Sequence, residues 1–194
     1  MAMLLDAIDK RYACRHFVAG QTPTTEELAV LCEAGRLAPS AFGLEPWRFI
    51  TVTDANQRDA IAHACFDQPA AATAPAFIVI VALVSALDPD SDYVSRQFEA
   101  EVRGGDTATI HAQYRAFYRA DTIAAWACGQ CNFAAAQILL QAAHLRLGSC
   151  PIGGYDEAAL RAALQLGVGE TPALVIALGR CAEAQPARLR KPLD

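Results

Sequence analysis

A long stretch without charge most constrains how this chain can fold. Residues 122–145 contain no Asp, Glu, Lys or Arg, but they include four amide side chains, from Gln130, Asn132, Gln137 and Gln141. Because unpaired amides are costly in lipid, the stretch favours a buried helix of a soluble protein over a membrane span. We predict a helix over residues 121–147, and one so apolar in a small protein would be well covered by a second subunit.

The remaining pattern predicts an α+β fold with a sheet packed on this central helix. Strands are expected at 47–53, at the β-branched run 76–84 and at 172–179. Further helices are expected at 4–11, from the capping sequence at 22–27 to about 37, and at 54–65, 93–103, 107–118 and 156–166. A length of 194 residues suits one domain, residues 1–194.

Composition narrows the class of partner and the compartment. The net charge of −5 argues against nucleic acid or an anionic membrane as the main partner. Residues 1–9 do not form a signal peptide, and the chain has an odd number of cysteines, seven. A reducing cytoplasm is the simpler context for these thiols.

The basic residues gather near the two ends of this acidic chain. Seven of its sixteen cations are Lys10, Arg11, Arg15, Arg180, Arg188, Arg190 and Lys191. Guanidinium groups that converge suit a phosphate, whereas two solvated tails are the alternative interpretation.

Two loops could line a ligand site. In the turn Pro151-Ile152-Gly153-Gly154, glycines leave backbone N–H groups uncovered, so that a flat cofactor could approach the main chain. Ser40 and Gly43 follow a predicted helix end, where they could line a pocket or simply connect two elements.

Two polar patterns on the uncharged helix have competing interpretations. Cys128 and Cys131 have the spacing of a thiol-redox pair, but their place inside a long helix favours buried packing cysteines. The cysteines and histidines lack zinc-ligand spacing, so no metal site is predicted. One face of this helix carries three amide side chains, from Gln130, Gln137 and Gln141. Buried amides need hydrogen-bond partners, and these could be a second subunit or adjacent loops. Alternatively, Gln130 could face the polar edge of a cofactor.

Taken in order, the motifs resemble the FMN-dependent nitroreductase family along nearly the whole chain. The motifs that carry the resemblance are residues 10–17 (KRYACRHF), 38–41 (APSA), 46–49 (PWRF), 74–75 (AP), Trp126 and Gln130, 151–156 (PIGGYD) and 190–192 (RKP). The resemblance implies a nitroreductase-like α+β fold, with a mixed or antiparallel sheet on a long buried helix, in an interlocked homodimer with FMN at the subunit interface.

The resemblance also implies a cofactor site, residue by residue. The FMN contacts would come from Arg11, Tyr12, Ala13, Arg15, Arg190 and Lys191 at the phosphate, from Ser40, Ala41 and Gly43 of the other subunit, from Asp67, Gln68 and Gln130 by the ring, and from Pro151, Ile152, Gly153 and Gly154 at the flavin-facing turn. The backbone N–H of Gly153 would face flavin N5, with Gly154 beside it. The implied reaction is ping-pong electron transfer from NADH or NADPH to a nitroaromatic, quinone or enone acceptor.

Some residues depart from the family pattern. Ala13 stands where a hydroxyl residue is usual, Gly43 and Glu45 replace amides, and no cation follows Gln68. The segment 88–120, which often covers the substrate face, is short. Three alternatives therefore stay open: a branch that remodels flavin or serves one metabolite, a flavin-binding protein without turnover, and a thiol-redox protein.

Overall fold

A four-stranded antiparallel sheet with helices on both faces organises the chain. The computed structural model describes residues 6–192. The strands are β1 (Trp47–Val52), β2 (Ala76–Leu83), β3 (Gly148–Ile152) and β4 (Glu170–Gly179). Their order is β1-β2-β4-β3, which makes β1 and β3 the two edges. The helices are α1 (Asp6–Lys10), α2 (Thr25–Arg36), α3 (Ala55–Ala64), α4 (Pro69–Thr73), α5 (Asp92–Val102), α6 (Ala108–Phe117), α7 (Ile123–His144) and α8 (Glu157–Leu164).

Strand β2 divides the hydrophobic core in two. Its residues from Ala76 to Ala82 are all buried, because helices cover both faces of the sheet. Phe77 and Val79 point into the cluster shared with α3 and α8, and Ile78 and Ile80 point into the cluster shared with α2 and α7. This alternation follows from the two-residue period of a strand. The predicted α+β architecture is confirmed.

Helix α7 is the predicted uncharged helix, and one side of it enters the core. Eight of its 22 residues are buried, among them Ala134 and Ile138. By length and composition α7 could cross a membrane. In the structure its buried side packs against α2, β2 and β4 instead. The opposite side stays open, and its Phe133 is 50% exposed.

Most predicted helices are confirmed, with small changes at their ends. Thr24 begins α2 with the expected capping box, in which the Glu27 N–H donates to Thr24 Oγ1 at 3.1 Å. Asp54 caps α3 through the Gln57 N–H. Residues 4 and 5 of the first predicted helix lie outside the described residues, and the short helix α4 was not predicted.

The strands show where propensity misled the sequence analysis. Residues 148–152 form strand β3. No strand was predicted there, because Gly148 and Pro151 are poor strand formers and residues 151–154 were predicted to form a turn. Proline is tolerated because β3 is an edge strand. Strand β4 begins at Glu170, two residues earlier than predicted, and it carries Pro172 beside a register shift between Ile80 and Val81.

A disulfide joins the two ends of the fold, which the sequence analysis did not predict. Cys14 and Cys181 are bonded across 167 residues of sequence, with Cα atoms 5.8 Å apart. Cys14 is fully buried and Cys181 is half-buried. The other five cysteines are free thiols. The pairing went unseen because connectivity cannot be deduced from cysteine spacing alone.

The carboxylate of Glu170 ties the sheet across three strands, and its loss should be measurable. It accepts from Arg48 on β1 through Nε at 2.5 Å and Nη2 at 2.9 Å, and from the Gly167 N–H at 2.8 Å. These bonds lower the pKa of Glu170 from its usual 4.5 to about 2. A lowered carboxyl pKa stabilises the fold above the unfolded-state pKa, and that stability is lost as the pH falls through the folded-state value.

We therefore expect Glu170→Gln to lower the free energy of unfolding by about 1–2 kcal/mol at pH 7. Between pH 4.5 and 2, urea titrations should show the difference between variant and parent shrinking as the parent protonates. Glu33→Gln, which loses only an exposed pair with Arg36, is the control. An equal effect of both variants would contradict this role for Glu170.

Candidate functional site

The N-terminal segment lies along the edge of the sheet formed by β3. Ala13 pairs with Ser149 in a parallel bridge, and the Cys14 N–H donates to the Ser149 carbonyl at 3.1 Å. Phe17 pairs in turn with Cys181. Residues 11–17 are therefore fixed beside the strand that leads into Gly153 and Gly154.

The C-terminal tail, residues 182–192, returns along the same segment. Arg188 Nη2 donates to the carbonyl oxygens of Ile8, Asp9 and Arg11 at 2.9, 2.6 and 2.9 Å. The Tyr12 hydroxyl donates to the carbonyl of Glu183 at 2.8 Å. A cation at the end of α1 satisfies carbonyls that the helix leaves open. The tail is thereby held against residues 8–12.

The two segments enclose a cavity of about 300 Å³ that is rich in guanidinium groups. It is lined by Arg11, Tyr12, Ala13, Arg15, Gln185, Pro186, Ala187, Arg188, Leu189 and Arg190. None of these residues is acidic. The pKa of Arg11 is lowered, first by burial and then by the nearby charges of Arg188 and Arg190. Cations held together without a counter-charge favour an anion such as a phosphate.

The cavity brings together most of the predicted phosphate contacts. Arg11, Tyr12, Ala13, Arg15 and Arg190 all line it. Lys191 follows in the chain but does not line it. Arg188 lines the cavity while its Nη2 atom binds the end of α1, so it both positions the tail and adds charge. The basic residues of the two ends therefore converge at one place, while residues 182–192 remain exposed to solvent.

The turn after β3 presents two free backbone donors. Gly153 and Gly154 are exposed, and among the described residues their N–H groups find no hydrogen-bond acceptor. No atom lies within 4 Å of the place where a Gly153 Cβ would stand. Neither glycine has a positive φ. Glycine therefore matters here because it lacks a side chain, and not because the backbone requires an unusual conformation.

Gln68 fixes the position of that turn. Its Nε2 atom donates to the Gly154 carbonyl at 2.9 Å and to the Cys65 carbonyl at 3.0 Å. Asp67, just before it, is exposed and has a left-handed φ of 48°. Gln68 thus joins the turn to the end of α3, whereas the Asp67 carboxylate lies 3.4 Å from the ring of His63.

Ser40, Ala41 and Gly43 belong to a second cluster, which does not line the basic cavity. The Ala41 N–H donates to Gln130 Oε1 at 2.9 Å, and the Glu45 N–H donates to Ser40 Oγ at 2.8 Å. Gln97 Nε2 donates to the Gly43 carbonyl at 3.1 Å. Gln130 therefore accepts a hydrogen bond from a neighbouring loop, which agrees with the interpretation that the amides of α7 bond to adjacent loops. Its amide nitrogen has no partner among the described residues.

The loop around these residues is strained and firmly held. Phe42, Gly43 and Glu45 have positive φ values of 60°, 63° and 42°. The Tyr93 hydroxyl lies 2.8 Å from the carbonyl oxygens of both Leu44 and Glu45. Burial and the charge of Glu45 raise the pKa of Tyr93 to about 12, so the hydroxyl keeps its proton. Strain of this kind persists only where the surroundings fix it, and it is common at functional sites.

The cysteines of α7 do not form a redox pair in the structure. Both are free, and burial raises the pKa of Cys128 and raises that of Cys131 to about 12. A thiolate, which is the reactive form, is thus disfavoured. Within residues 6–192, no group of three or more potential metal ligands is present.

Comparison with known proteins gives a consistent result. The model of the nitroreductase family matches residues 8–180. An oxygen-insensitive NADPH nitroreductase of Helicobacter acinonychis is 29% identical over 191 residues, covering 95% of this chain and 90% of the relative. The corresponding Helicobacter pylori enzyme (strain 26695) is 28% identical over 193 residues, covering 96% and 92%.

Two solved structures share the fold. One is a nitroreductase-like protein of Streptococcus mutans, with a TM-score of 0.84 at 21% identity, covering 96% of this chain and 92% of that one. The other, from Exiguobacterium sibiricum, is assigned as a nitroreductase and was crystallised in complex with FMN. Its TM-score is also 0.84 at 21% identity, covering 99% and 94%. These likenesses establish a nitroreductase fold.

The bond from Gln130 to the second cluster can be tested directly. We expect Gln130→Leu to leave the Ala41 N–H without its acceptor and to speed its hydrogen exchange by about fivefold or more. Gln137→Leu is the matched control, because that amide lies on the same stripe and makes no hydrogen bond with the described residues. Equal exchange at Ala41 in both variants, measured by NMR, would refute the assignment.

Proposed function

This chain belongs to the nitroreductase family, and we propose that it is an FMN-dependent oxidoreductase that transfers electrons from NAD(P)H to a flat acceptor such as a nitroaromatic, a quinone or an enone. One observation carries the proposal: a cavity of four guanidinium groups is joined by strand β3 to a turn with two free N–H donors. A phosphate at one end and a flat ring at the other match this arrangement.

The basic cavity fits the phosphate of FMN. Arg11 and Arg15 approach from the N-terminal segment, and Arg188 and Arg190 from the tail. A dianion would relieve the repulsion that lowers the pKa of Arg11. Because Ala13 offers no hydroxyl, the phosphate would be held chiefly by charge-assisted bonds from guanidinium groups, which are stronger than neutral ones.

The turn fits the edge of the flavin ring. Pro151 and Ile152 lead from the cavity side to Gly153, and residues 149–153 of extended chain span about 13 Å. The open space over Gly153 allows a ring to lie against the backbone. Its N–H would donate to flavin N5, with the Gly154 N–H beside it and Gln68 holding the turn in place. When bound, FMN supplies the electron-transfer chemistry, so no protein side chain is required as the redox group.

A homodimer would complete the site. The open side of α7 carries small residues at Ala125, Gly129 and Ala136, together with the exposed ring of Phe133. Leu37, next to this side of α7 at a shared groove, is 62% exposed. Apolar surface of this kind is typical of subunit contacts. We infer that Ser40, Ala41, Gly43 and Gln130 of one protomer lie over the flavin ring held by its partner.

We further place the enzyme in the cytoplasm as a single domain, residues 1–194. The relatives from Helicobacter are named NADPH nitroreductases, which supports a nicotinamide donor.

The visible spectrum of the purified protein tests the proposal. We expect flavin absorbance that bleaches on anaerobic addition of NADH or NADPH and returns with menadione or a nitrofuran. Gly153→Val should slow the bleaching or abolish it, because its side chain would fill the space for the ring. A bound flavin that neither cofactor bleaches would favour a binding protein, and a protein that takes up no FMN would overturn the proposal.

The phosphate assignment predicts weaker FMN binding when one cation is removed. Arg11→Ala should raise the FMN dissociation constant by about 10- to 100-fold, the usual value of a charge-assisted contact. Quenching of flavin fluorescence on binding measures this constant. Arg36→Ala removes the same charge from an exposed pair on α2 and should leave it unchanged. An unaltered constant in Arg11→Ala would refute the assignment.

A further inference from the structure

We propose that the Cys14–Cys181 disulfide is a redox-responsive clasp, which holds the C-terminal tail against the basic cavity and, when reduced by a dithiol, releases the tail and weakens FMN retention. The part of this inference that concerns FMN rests on the proposed function. The clasp itself rests only on the position of the disulfide and on the contacts of the tail.

The disulfide sits at the junction of the two segments that build the cavity. Cys14 lies between Ala13 and Arg15, which both line the cavity. Cys181 begins the tail directly after β4, and the tail supplies six of the ten lining residues. The bond therefore joins the two walls of the cavity at one end.

The fold makes room for this bond. A Cβ at Gly148 on β3 would stand 3.0 Å from both Cys14 Sγ and Cys181 Cβ. Such distances are tighter than most Cβ contacts, so a side chain at Gly148 would require the two cysteines to shift by a few tenths of an ångström. Cys14 and Cys181 thus occupy a fitted place in the core and do not meet by chance at the surface.

Beyond the disulfide, little apolar contact holds the tail. Residues 182–192 are all exposed, and none of them belongs to either hydrophobic cluster. Their attachment consists of hydrogen bonds and one ion pair from exposed groups. These involve Arg188, Gln185 and the carbonyl of Glu183, together with the Ala182 N–H, which donates to the His16 carbonyl, and the Glu183 carboxylate, which pairs with the His16 ring. Exposed polar contacts contribute little stability individually.

Electrostatic repulsion favours release once the bond is broken. The tail brings Arg188 and Arg190 towards Arg11, whose pKa is lowered first by burial and then by repulsion from these two charges. The covalent bond opposes this repulsion. Without it, the tail gains conformational freedom and separates like charges, and a bound phosphate would lose the contact from Arg190.

The disulfide is the favoured site of thiol chemistry in this chain. Cys181 is half-buried whereas Cys14 is fully buried, so we expect an external thiol to attack at Cys181. Cys65, Cys131 and Cys150 are buried, and burial raises the pKa of all five free thiols. A dithiol exchanges with disulfides, and Cys14–Cys181 is the disulfide of the described residues, so its reaction should be confined to this pair. The free thiols are poor nucleophiles at neutral pH and should not attack the disulfide themselves.

The chemical step is ordinary thiol–disulfide exchange. A thiolate of the dithiol attacks Cys181 Sγ, the sulfur–sulfur bond breaks, and Cys14 leaves as a thiolate that takes up a proton. The second thiol of the dithiol then displaces Cys181, which is protonated in turn. Two electrons and two protons pass to the protein, and the dithiol becomes a disulfide. A low-molecular-weight disulfide such as oxidised glutathione reverses the step.

The test compares the two redox states of the wild-type protein. Protein equilibrated with oxidised glutathione or with dithiothreitol is treated with iodoacetamide to count thiols, then with trypsin to follow cleavage after Arg188 and Arg190. We expect two additional alkylated thiols, at Cys14 and Cys181, and about tenfold faster tail cleavage in the reduced state. Reduction should also raise the FMN dissociation constant by about five- to tenfold.

Two variants complete the design. Cys14→Ser/Cys181→Ser should resemble the reduced protein and ignore dithiothreitol, whereas Cys32→Ser/Cys128→Ser should respond like the wild type. Because the wild-type comparison needs no mutation, the test remains valid if the first variant folds poorly.

Free Cys14 and Cys181 in the oxidised sample, or equal tail cleavage in both states, would overturn the clasp. If the protein binds FMN but its FMN dissociation constant does not change on reduction, the proposed link between the clasp and FMN retention would be overturned. Cleavage is measured without FMN, so a clasp that opens in protein unable to bind FMN would count against the proposed function instead.

Discussion

The complete burial of β2 is the constraint on which the rest of the structure depends. A strand with apolar residues on both faces must be covered on both faces. Helices α2 and α7 cover one face of β2, and helices α3 and α8 cover the other. Its hydrogen bonds on both sides are taken by β1 and β4. The functional residues are thereby displaced to the edges. The cavity and the glycine turn gather at β3, where the backbone remains open to ligands.

The elements that dominate the core were predictable because their composition admits one solution. An apolar β-branched run such as 76–84 and an uncharged helix such as α7 have no favourable exposed state. The edges were harder to predict. Strand β3 contains Gly148 and Pro151, and β4 contains Pro172, so the local sequence has a low strand propensity. The pairing with neighbouring strands outweighs this propensity and determines the structure. Gly148 is tolerated there for a reason that only the fold shows, namely the space required by Cys14 and Cys181.

At the candidate site, the family resemblance named the residues but not their contacts. The convergence of Arg11, Arg15 and Arg190 was expected, whereas the binding of Arg188 to the end of α1 was not. Likewise, Gln68 was expected beside the ring, and the structure uses its amide to hold the glycine turn. Such contacts, like the disulfide, depend on residues far apart in sequence, and no spacing rule reveals them. The burial of Cys131 and the raised pKa values of both Cys128 and Cys131 count against the thiol-redox alternative, which sequence alone could only suggest.

The meeting of residues 8–11 with residues 185–190 beside one cavity has a practical consequence for handling the protein. Residues 8–11 and 185–190 lie side by side and are joined by hydrogen bonds from Gln185 and Arg188. An acidic peptide that reaches this cavity would therefore meet four guanidinium groups and compete there with any anion. The same proximity makes the protein a good candidate for circular permutation, with residue 190 joined to residue 8 by a short linker and new ends opened in an exposed loop such as 103–106.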